Sequence, residues 1–237
     1  MRHSIKTRVK TTALLLASTM AIGVNAQNES VSYNVGADVV SSYVWRGVPQ
    51  EATKGTPNIQ PYASLTTGSL TLGFWGSGSF IGNVKEVDIY ATYAINKLFS
   101  ATLTDYNWNF LQRYFSYGSG TDHVFEATVS YAGVESLPLS ASLNTMFYGA
   151  DKKTNGDQAY STYLELGYPV NESAKLFAGA SLMESAAYGT TGFGVTNLGV
   201  KVSKSVPITD KFSLPVYGIA GFNPTRNDAF LVAGVTF

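Results

Sequence analysis

The sequence predicts an all-β protein: a transmembrane antiparallel up-and-down β-barrel of about 12 strands, preceded by a cleaved signal peptide. Three observations predict this fold. The chain opens with a secretory leader, apolar and polar residues alternate with a period of two through most of the remaining chain, and the last strand ends on Phe237. A period of two indicates strands with one apolar face, and outer-membrane barrels consist of such strands separated by turns.

The N-terminal segment 1–26 has the features of a signal peptide, so we expect a mature barrel of residues 27–237. Ahead of the apolar run 13–24 it carries four basic residues and no acidic one: Arg2, Lys6, Arg8 and Lys10. The segment ends in Ala26, a small residue suited to cleavage, and the run is shorter than the roughly 20 residues that a spanning helix needs. Because the chain has no cysteine, we expect neither a disulfide nor a lipid-anchored cysteine.

The composition excludes a polybasic nucleic-acid binder. Removing those four basic residues from the total of 16 leaves 12 against 16 acidic residues, a formal charge of −4, whereas nucleic-acid-binding surfaces are basic. Charged residues make up 14% of the chain, which contains 15 Tyr, 13 Phe and 23 Gly. Such a composition fits a barrel whose outer surface meets lipid. With one His after the leader and no Cys, we expect no metal site and no cofactor.

The alternation predicts twelve strands, at residues 31–39, 59–65, 70–75, 86–95, 99–104, 125–131, 139–147, 160–168, 175–182, 197–202, 212–222 and 229–237. Compact turns alternate with mostly longer, more polar loops, as in barrels with short periplasmic turns and long outer loops. Aromatic residues near strand ends predict two interfacial girdles, with Tyr43 and Trp45 on the outer side. Pro61 and Pro215 fall inside predicted strands, so we expect a bulge or a strand end at each.

The lumen face carries the candidate pore-lining residues. Strand parity predicts that four of them point inward near the outer rim: Arg46 on the first strand, Glu86, Asp88 and Glu126. The other, Asp105, ends the fifth predicted strand nearby. An acidic excess around one arginine in a narrow passage favours cations. The alternative is a structural network that holds register and plugs the lumen, because buried charges must be paired. Inward tyrosines, among them Tyr148, are expected to narrow the passage further.

Segment 41–50 suggests a family. Its residues Ser-Ser-Tyr-Val-Trp-Arg-Gly-Val-Pro-Gln resemble the SDYVFRGxSQ-like signature of the TorF-family porins, also called Gcw_chp, with Ser42, Trp45 and Pro49 as departures. Other similar segments lie at 58–61, 86–90, 104–106 and 123–126, so the resemblance covers essentially the mature chain. It implies an outer-membrane barrel that serves as a diffusion channel for small solutes.

The leading functional hypothesis is passive diffusion of small polar solutes or ions across the outer membrane, with no enzymatic activity and no catalytic residue. Expected partners are outer-membrane lipid and lipopolysaccharide, periplasmic chaperones, and the barrel-assembly machinery, for which Phe237 is the predicted signal. One alternative is a closed structural or adhesive barrel with functional outer loops. Another is an outer-leaflet lipid-modifying enzyme that uses His123, although no nucleophile motif stands beside it.

Overall fold

The structure, a computed structural model, describes residues 31–53, 55–82, 84–108, 114–118 and 120–237. The predicted signal peptide lies outside the described residues. Sixteen strands are described: β1 Ser32–Val40, β2 Val44–Trp45, β3 Val48–Pro49, β4 Asn58–Thr67, β5 Leu70–Ser79, β6 Lys85–Ala94, β7 Phe99–Asn107, β8 His123–Tyr131, β9 Ser140–Gly149, β10 Thr162–Pro169, β11 Ala174–Ser181, β12 Glu184–Ser185, β13 Thr190–Thr191, β14 Gly194–Thr209, β15 Phe212–Asn223 and β16 Asp228–Thr236. Within the described part of the chain, no helix has the length and hydropathy needed to cross a membrane.

Twelve of these strands close a barrel in which every junction is antiparallel, with the order β1-β16-β15-β14-β11-β10-β9-β8-β7-β6-β5-β4. Each strand pairs with its neighbours along the chain, and β1 closes the ring against β16, where Val39 pairs with Val235. The backbone of Phe237 extends this seam by donating to Ala37 at 2.9 Å. The predicted all-β, twelve-stranded antiparallel barrel is therefore confirmed.

The period of two sorts the side chains between the two faces of the barrel wall. Apolar residues point out, and many are strongly exposed, including Leu231 at 78% and Val35 at 68%. Others on this face are Leu72, Ile89, Leu103, Val129, Leu143, Leu176, Leu198 and Val202. Most polar strand residues point in, and so do Gly36, Gly73, Gly199, Gly221 and Gly234. An apolar outer surface of this extent is unusual for a protein surrounded by water.

Inward glycines receive the aromatic rings of the neighbouring strand. Gly36 pairs directly with Tyr62, and a Cβ added at Gly36 would lie 2.3 Å from the Tyr62 hydroxyl oxygen. The same directly paired arrangement recurs for Tyr90 over Gly73, Phe177 over Gly199, Phe230 over Gly221 and Tyr217 over Gly234. Because each ring covers the adjacent strand, it lies against the wall and does not extend across the lumen.

Contrary to expectation, neither Pro61 nor Pro215 interrupts its strand. Pro61 pairs with Ala37 inside β4, and the β4–β5 register is the same on either side of it. The β15–β16 ladder starts at Val216, so Pro215 lies just beyond it and pairs only with β14. In both cases the missing N–H costs little pairing. A bulge occurs instead at Phe125/Glu126, and it turns Tyr148 outward, contrary to the expected inward position.

The connections differ between the two ends of the barrel, as predicted. We call the end with the connections 41–57, 80–84, 108–122, 150–161, 182–193 and 224–227 the loop end, and the opposite end the turn end. Two loop-end connections carry the hairpins β2–β3 and β12–β13. Tyr43 is 7% exposed and belongs to the first of these connections, so it does not join an outer girdle.

Candidate functional site

A hairpin fills the barrel interior at the loop end. It comprises residues 43–50, which we call the plug, and the Gln50 N–H closes it by donating to the carbonyl of Tyr43 at 2.9 Å. The Asn223 side chain donates to the Gly47 carbonyl at 3.0 Å, and the Thr196 hydroxyl donates to the Arg46 carbonyl at 3.1 Å. These bonds seat the tip of the plug against β14 and β15.

The turn of the plug requires an unusual backbone. Arg46 and Gly47 both have positive φ, 50° and 79°, as the two central residues of a type I′ hairpin turn do. A side chain in this region is strained, so an arginine persists there only when its surroundings hold it. The sequence-based position of Arg46 on the first strand was wrong, because β1 ends at Val40 and Arg46 lies on the next hairpin along the chain.

The Arg46 guanidinium is held on all sides. It donates to both carboxylate oxygens of Glu126, at 2.6 and 2.8 Å, and to the Tyr188 hydroxyl at 2.5 Å. Its central carbon lies 4.5 Å from the Trp45 ring centroid and 4.8 Å from that of Tyr163. Burial lowers the pKa of Arg46, but Tyr188 and Glu126 outweigh it and raise the pKa above its ordinary value. The group therefore stays charged, as bidentate pairing requires.

Glu86 and Asp88 lie on the opposite side of the plug. They are 3% and 4% exposed, and Glu86 accepts a hydrogen bond from Tyr43, whose ring packs 5.4 Å from that of Trp75. Burial, and then the charges of the two carboxylates, raise the pKa of Tyr43 well above its ordinary value. Tyr43 thus remains a neutral donor that ties the base of the plug to β6.

Asp105 does not belong to this interior group. It pairs with Ile89 and follows Leu103 on the same face of β7, and both of these residues are exposed on the outer surface. The expected inward position was therefore wrong, because a period of two gives Asp105 the parity of Leu103. Its carboxylate instead contacts Nδ1 of His123 at 2.6 Å and accepts from the Tyr117 hydroxyl at 3.3 Å.

His123 is 1% exposed and lies beneath residues 114–118 of the connection that follows β7. Nδ1 faces Asp105, while Nε2 faces the backbone carbonyl of Tyr114 and lies 3.0 Å from the side-chain Nδ2 of Asn107. The Tyr117 ring covers the imidazole at a centroid distance of 4.3 Å. Among the described residues, these ring contacts include no serine or threonine hydroxyl that could act as a nucleophile.

The interior differs sharply between the two ends. Toward the loop end, the inward side chains are buried around the plug: Val40, Asn58, Gln60, Ser77, Glu86, Asp88, Val124, Glu126, Met146, Tyr163, Ser181 and Asn197. Toward the turn end, inward polar side chains remain partly exposed to solvent: Asn34, Asp38, Ser64, Thr66, Thr71, Thr92, Thr102, Ser130, Ser142, Glu165, Lys175 and Lys201. We call this accessible half of the lumen the vestibule.

The sequence missed the loop residue that completes the plug site. Tyr188 lies between the short strands β12 and β13, is fully buried, and stacks on Trp45 and Tyr163 at centroid distances of 5.5 and 5.1 Å. A residue in an irregular loop carries no periodic signal, so strand parity could not find it. No group of three or more His, Cys, Asp or Glu residues suited to a metal ion occurs among the described residues.

No protein-family model matches this chain, and no curated protein matches it either. The resemblance to the TorF-family porins therefore stays a prediction.

Proposed function

We propose that the protein is an outer-membrane β-barrel that serves as a narrow channel for passive diffusion of small polar solutes or ions, and that the plug closes this channel at its loop end. The observation that carries the proposal is the division of the lumen into a solvent-accessible polar vestibule and a packed half. That packed half is filled largely by a tethered hairpin, which is a separable element of the chain.

The membrane location is supported by the outer face. A closed barrel leaves no sheet edge unpaired, which is the condition for strands to lie in lipid. The exposed apolar side chains would be covered by hydrocarbon, whereas water would penalise them by about 25 cal/mol per Å² of apolar surface. Exposed aromatic side chains, including Tyr33, Tyr93 and Tyr168, lie near the turn end of their strands, where an interfacial girdle is expected.

The plug is held by side-chain contacts and is not part of the strand ladders of the wall. Its strained turn depends on the Arg46 guanidinium, which Glu126 and Tyr188 bind, and its base depends on Tyr43. Displacing one hairpin within the lumen leaves the strand ladders of the wall intact. The channel therefore opens by movement of the plug, with no change of the barrel itself.

The proposal includes no cation preference. The predicted preference rested on carboxylates, and Glu86, Asp88 and Glu126 are all buried in the packed half. Asp105 lies on the outer face. A solute in the vestibule contacts none of these four groups.

The test is single-channel recording in planar lipid bilayers of refolded protein, after heat-modifiable gel migration confirms folding. We expect Arg46→Ala to raise the frequency of open steps about tenfold by releasing the plug, while Arg226→Ala, in the exposed connection 224–227, leaves it unchanged. Folded Arg46→Ala protein that inserts but gives no steps would overturn the channel. Fractionation of cells that express the full chain tests the outer-membrane location.

A closed adhesive barrel is the second candidate, and the loop end favours it. There a pocket of about 350 Å³ lies between two connections and is lined partly by Lys152, Lys153 and Glu184. The buried Asp151 carboxylate links the two walls of this pocket. It accepts a hydrogen bond from the Ser161 hydroxyl at 2.6 Å, and the same hydroxyl contacts that of Ser185 at 2.7 Å. If neither the wild-type protein nor Arg46→Ala conducts in the bilayer test, the closed adhesive barrel becomes the preferred candidate.

A further inference from the structure

We infer that Lys175 and Lys201 form a binding site for small anions at the mouth of the vestibule and make the channel anion-preferring. The inference rests on the proposed function, because it names the class of solute for the same passage. It reverses the cation preference expected from the sequence.

The register places the two lysines side by side. Lys175 on β11 is the direct cross-strand partner of Lys201 on β14, and both side chains point into the lumen. Directly opposed residues have Cβ atoms about 5 Å apart, and like charges in such a pair destabilise a sheet. An anion at this position removes that repulsion, whereas a cation adds to it.

Among the described residues no carboxylate forms an ion pair with either lysine, although the charge of Asp38 acts on Lys201 from a longer distance. Neither lysine takes part in the ion pairs found among the described residues, so no described carboxylate lies within 4.0 Å of either ammonium group. The Lys201 ammonium lies 4.0 Å from the Tyr217 ring centroid. The Lys175 side chain leans the other way, along the wall over Gly167. This divergence fits two like charges and leaves both ammonium groups beside the open lumen.

Three lumen carboxylates form hydrogen bonds with groups other than the lysines, and of these groups Arg46 is the one that also neutralises a charge. Glu126 binds Arg46, Asp38 accepts from the Tyr217 hydroxyl at 3.0 Å, and Glu165 accepts from the Tyr163 hydroxyl at 3.3 Å. Tyr163 is a buried residue of the packed half, so Glu165 lies at the inner limit of the vestibule.

The lysines also come first along the passage. Lys175 is the second residue of β11, next to the turn 170–173, whereas Glu165 pairs with Gly179, four residues further into the barrel. A solute that enters from the turn end therefore meets the two ammonium groups before it meets this carboxylate. In a narrow, low-dielectric passage the first charges have a large effect on which ions enter.

The experiment compares two double variants in the Arg46→Ala background, where the plug is released. Reversal potentials across a potassium chloride gradient give the chloride-to-potassium permeability ratio. We expect a ratio above one that falls about threefold or more in Lys175→Gln/Lys201→Gln. It should stay unchanged in the matched control Lys204→Gln/Lys211→Gln, which removes two exposed lysines near the same end.

A second readout needs no conductance. The ³⁵Cl NMR line of chloride, broadened by folded protein in detergent, should narrow in Lys175→Gln/Lys201→Gln and stay broad in the control double variant. If the two double variants differ in chloride line width while no channel steps occur, the result supports the anion site and contradicts the channel. If both double variants broaden chloride equally, or share one permeability ratio, the site is overturned whether or not the barrel conducts.

Discussion

The guanidinium of Arg46 forms a bidentate ion pair with the carboxylate of Glu126, 80 residues further along the chain, at 2.6 and 2.8 Å. The Glu126 side chain is completely buried and that of Arg46 is 11% exposed. The pair joins a hairpin turn to the barrel wall, so one interaction fixes the position of the hairpin inside the barrel.

Breaking this pair from one side should cost more than removing both charges. Glu126→Ala leaves a buried guanidinium without its counter-charge, and we expect it to lower the free energy of unfolding by about 3–5 kcal/mol. The double variant Arg46→Met/Glu126→Ala should lose less than Glu126→Ala alone, and therefore less than the sum of the losses in Arg46→Met and Glu126→Ala. The free energy of unfolding of the two single variants and the double variant is measured by urea unfolding in detergent, with tryptophan fluorescence as the signal. Additive losses would show that the two side chains do not interact.

Gly47→Ala should release the plug without any change of charge. A Cβ at Gly47 would lie 1.8 Å from the Thr196 carbonyl oxygen, so the turn must move. Gly82→Ala is the matched control, since Gly82 has the same φ of 79° and a Cβ added there would meet no other group within 4 Å. We expect Gly47→Ala to raise channel opening about tenfold above the control in bilayer recordings. Equal opening in both would mean that the plug does not close the lumen.

Gly221→Ala should test the packing of aromatic rings on inward glycines. A Cβ there would lie 2.1 Å from the Phe230 ring, so the ring must be displaced, at a cost of about 1–3 kcal/mol. Gly218→Ala, on the outward face of the same strand, meets nothing closer than 4.0 Å and should be neutral or slightly stabilising. Unfolding in urea compares the two, and a smaller loss for Gly221→Ala than for Gly218→Ala would contradict the arrangement.

Asp105→Asn should affect stability and leave permeation unchanged. Its carboxylate contacts His123 on the outer face, so losing the charge weakens that contact but alters no charge in the lumen. We expect a loss of about 1–3 kcal/mol on urea unfolding and an unchanged chloride-to-potassium permeability ratio in the Arg46→Ala background. If Asp105→Asn shifts the permeability ratio as much as Lys175→Gln/Lys201→Gln does, the placement of Asp105 on the outer face is contradicted.

The strands could be predicted closely, and the site only in part. Parity correctly placed Glu86, Asp88 and Glu126 inside the barrel, because each lies within a regular strand. The same rule, applied to Asp105, gives the outer face, and the error came from grouping Asp105 with the lumen carboxylates because its strand ends near them. Tyr148 was misplaced because a bulge at Phe125/Glu126 changes parity, and a bulge has no mark in the residue pattern.

The sequence by itself determined the all-β class, the twelve barrel strands and which strand face is apolar. These follow from short-range alternation, which each strand carries along its own length. Only the tertiary structure decided that residues 43–50 fold back into the lumen, that Arg46 meets Glu126 and Tyr188, and that Lys175 lies beside Lys201. Such contacts depend on register and on the return of loops, because they join residues far apart in the chain and no local period encodes them.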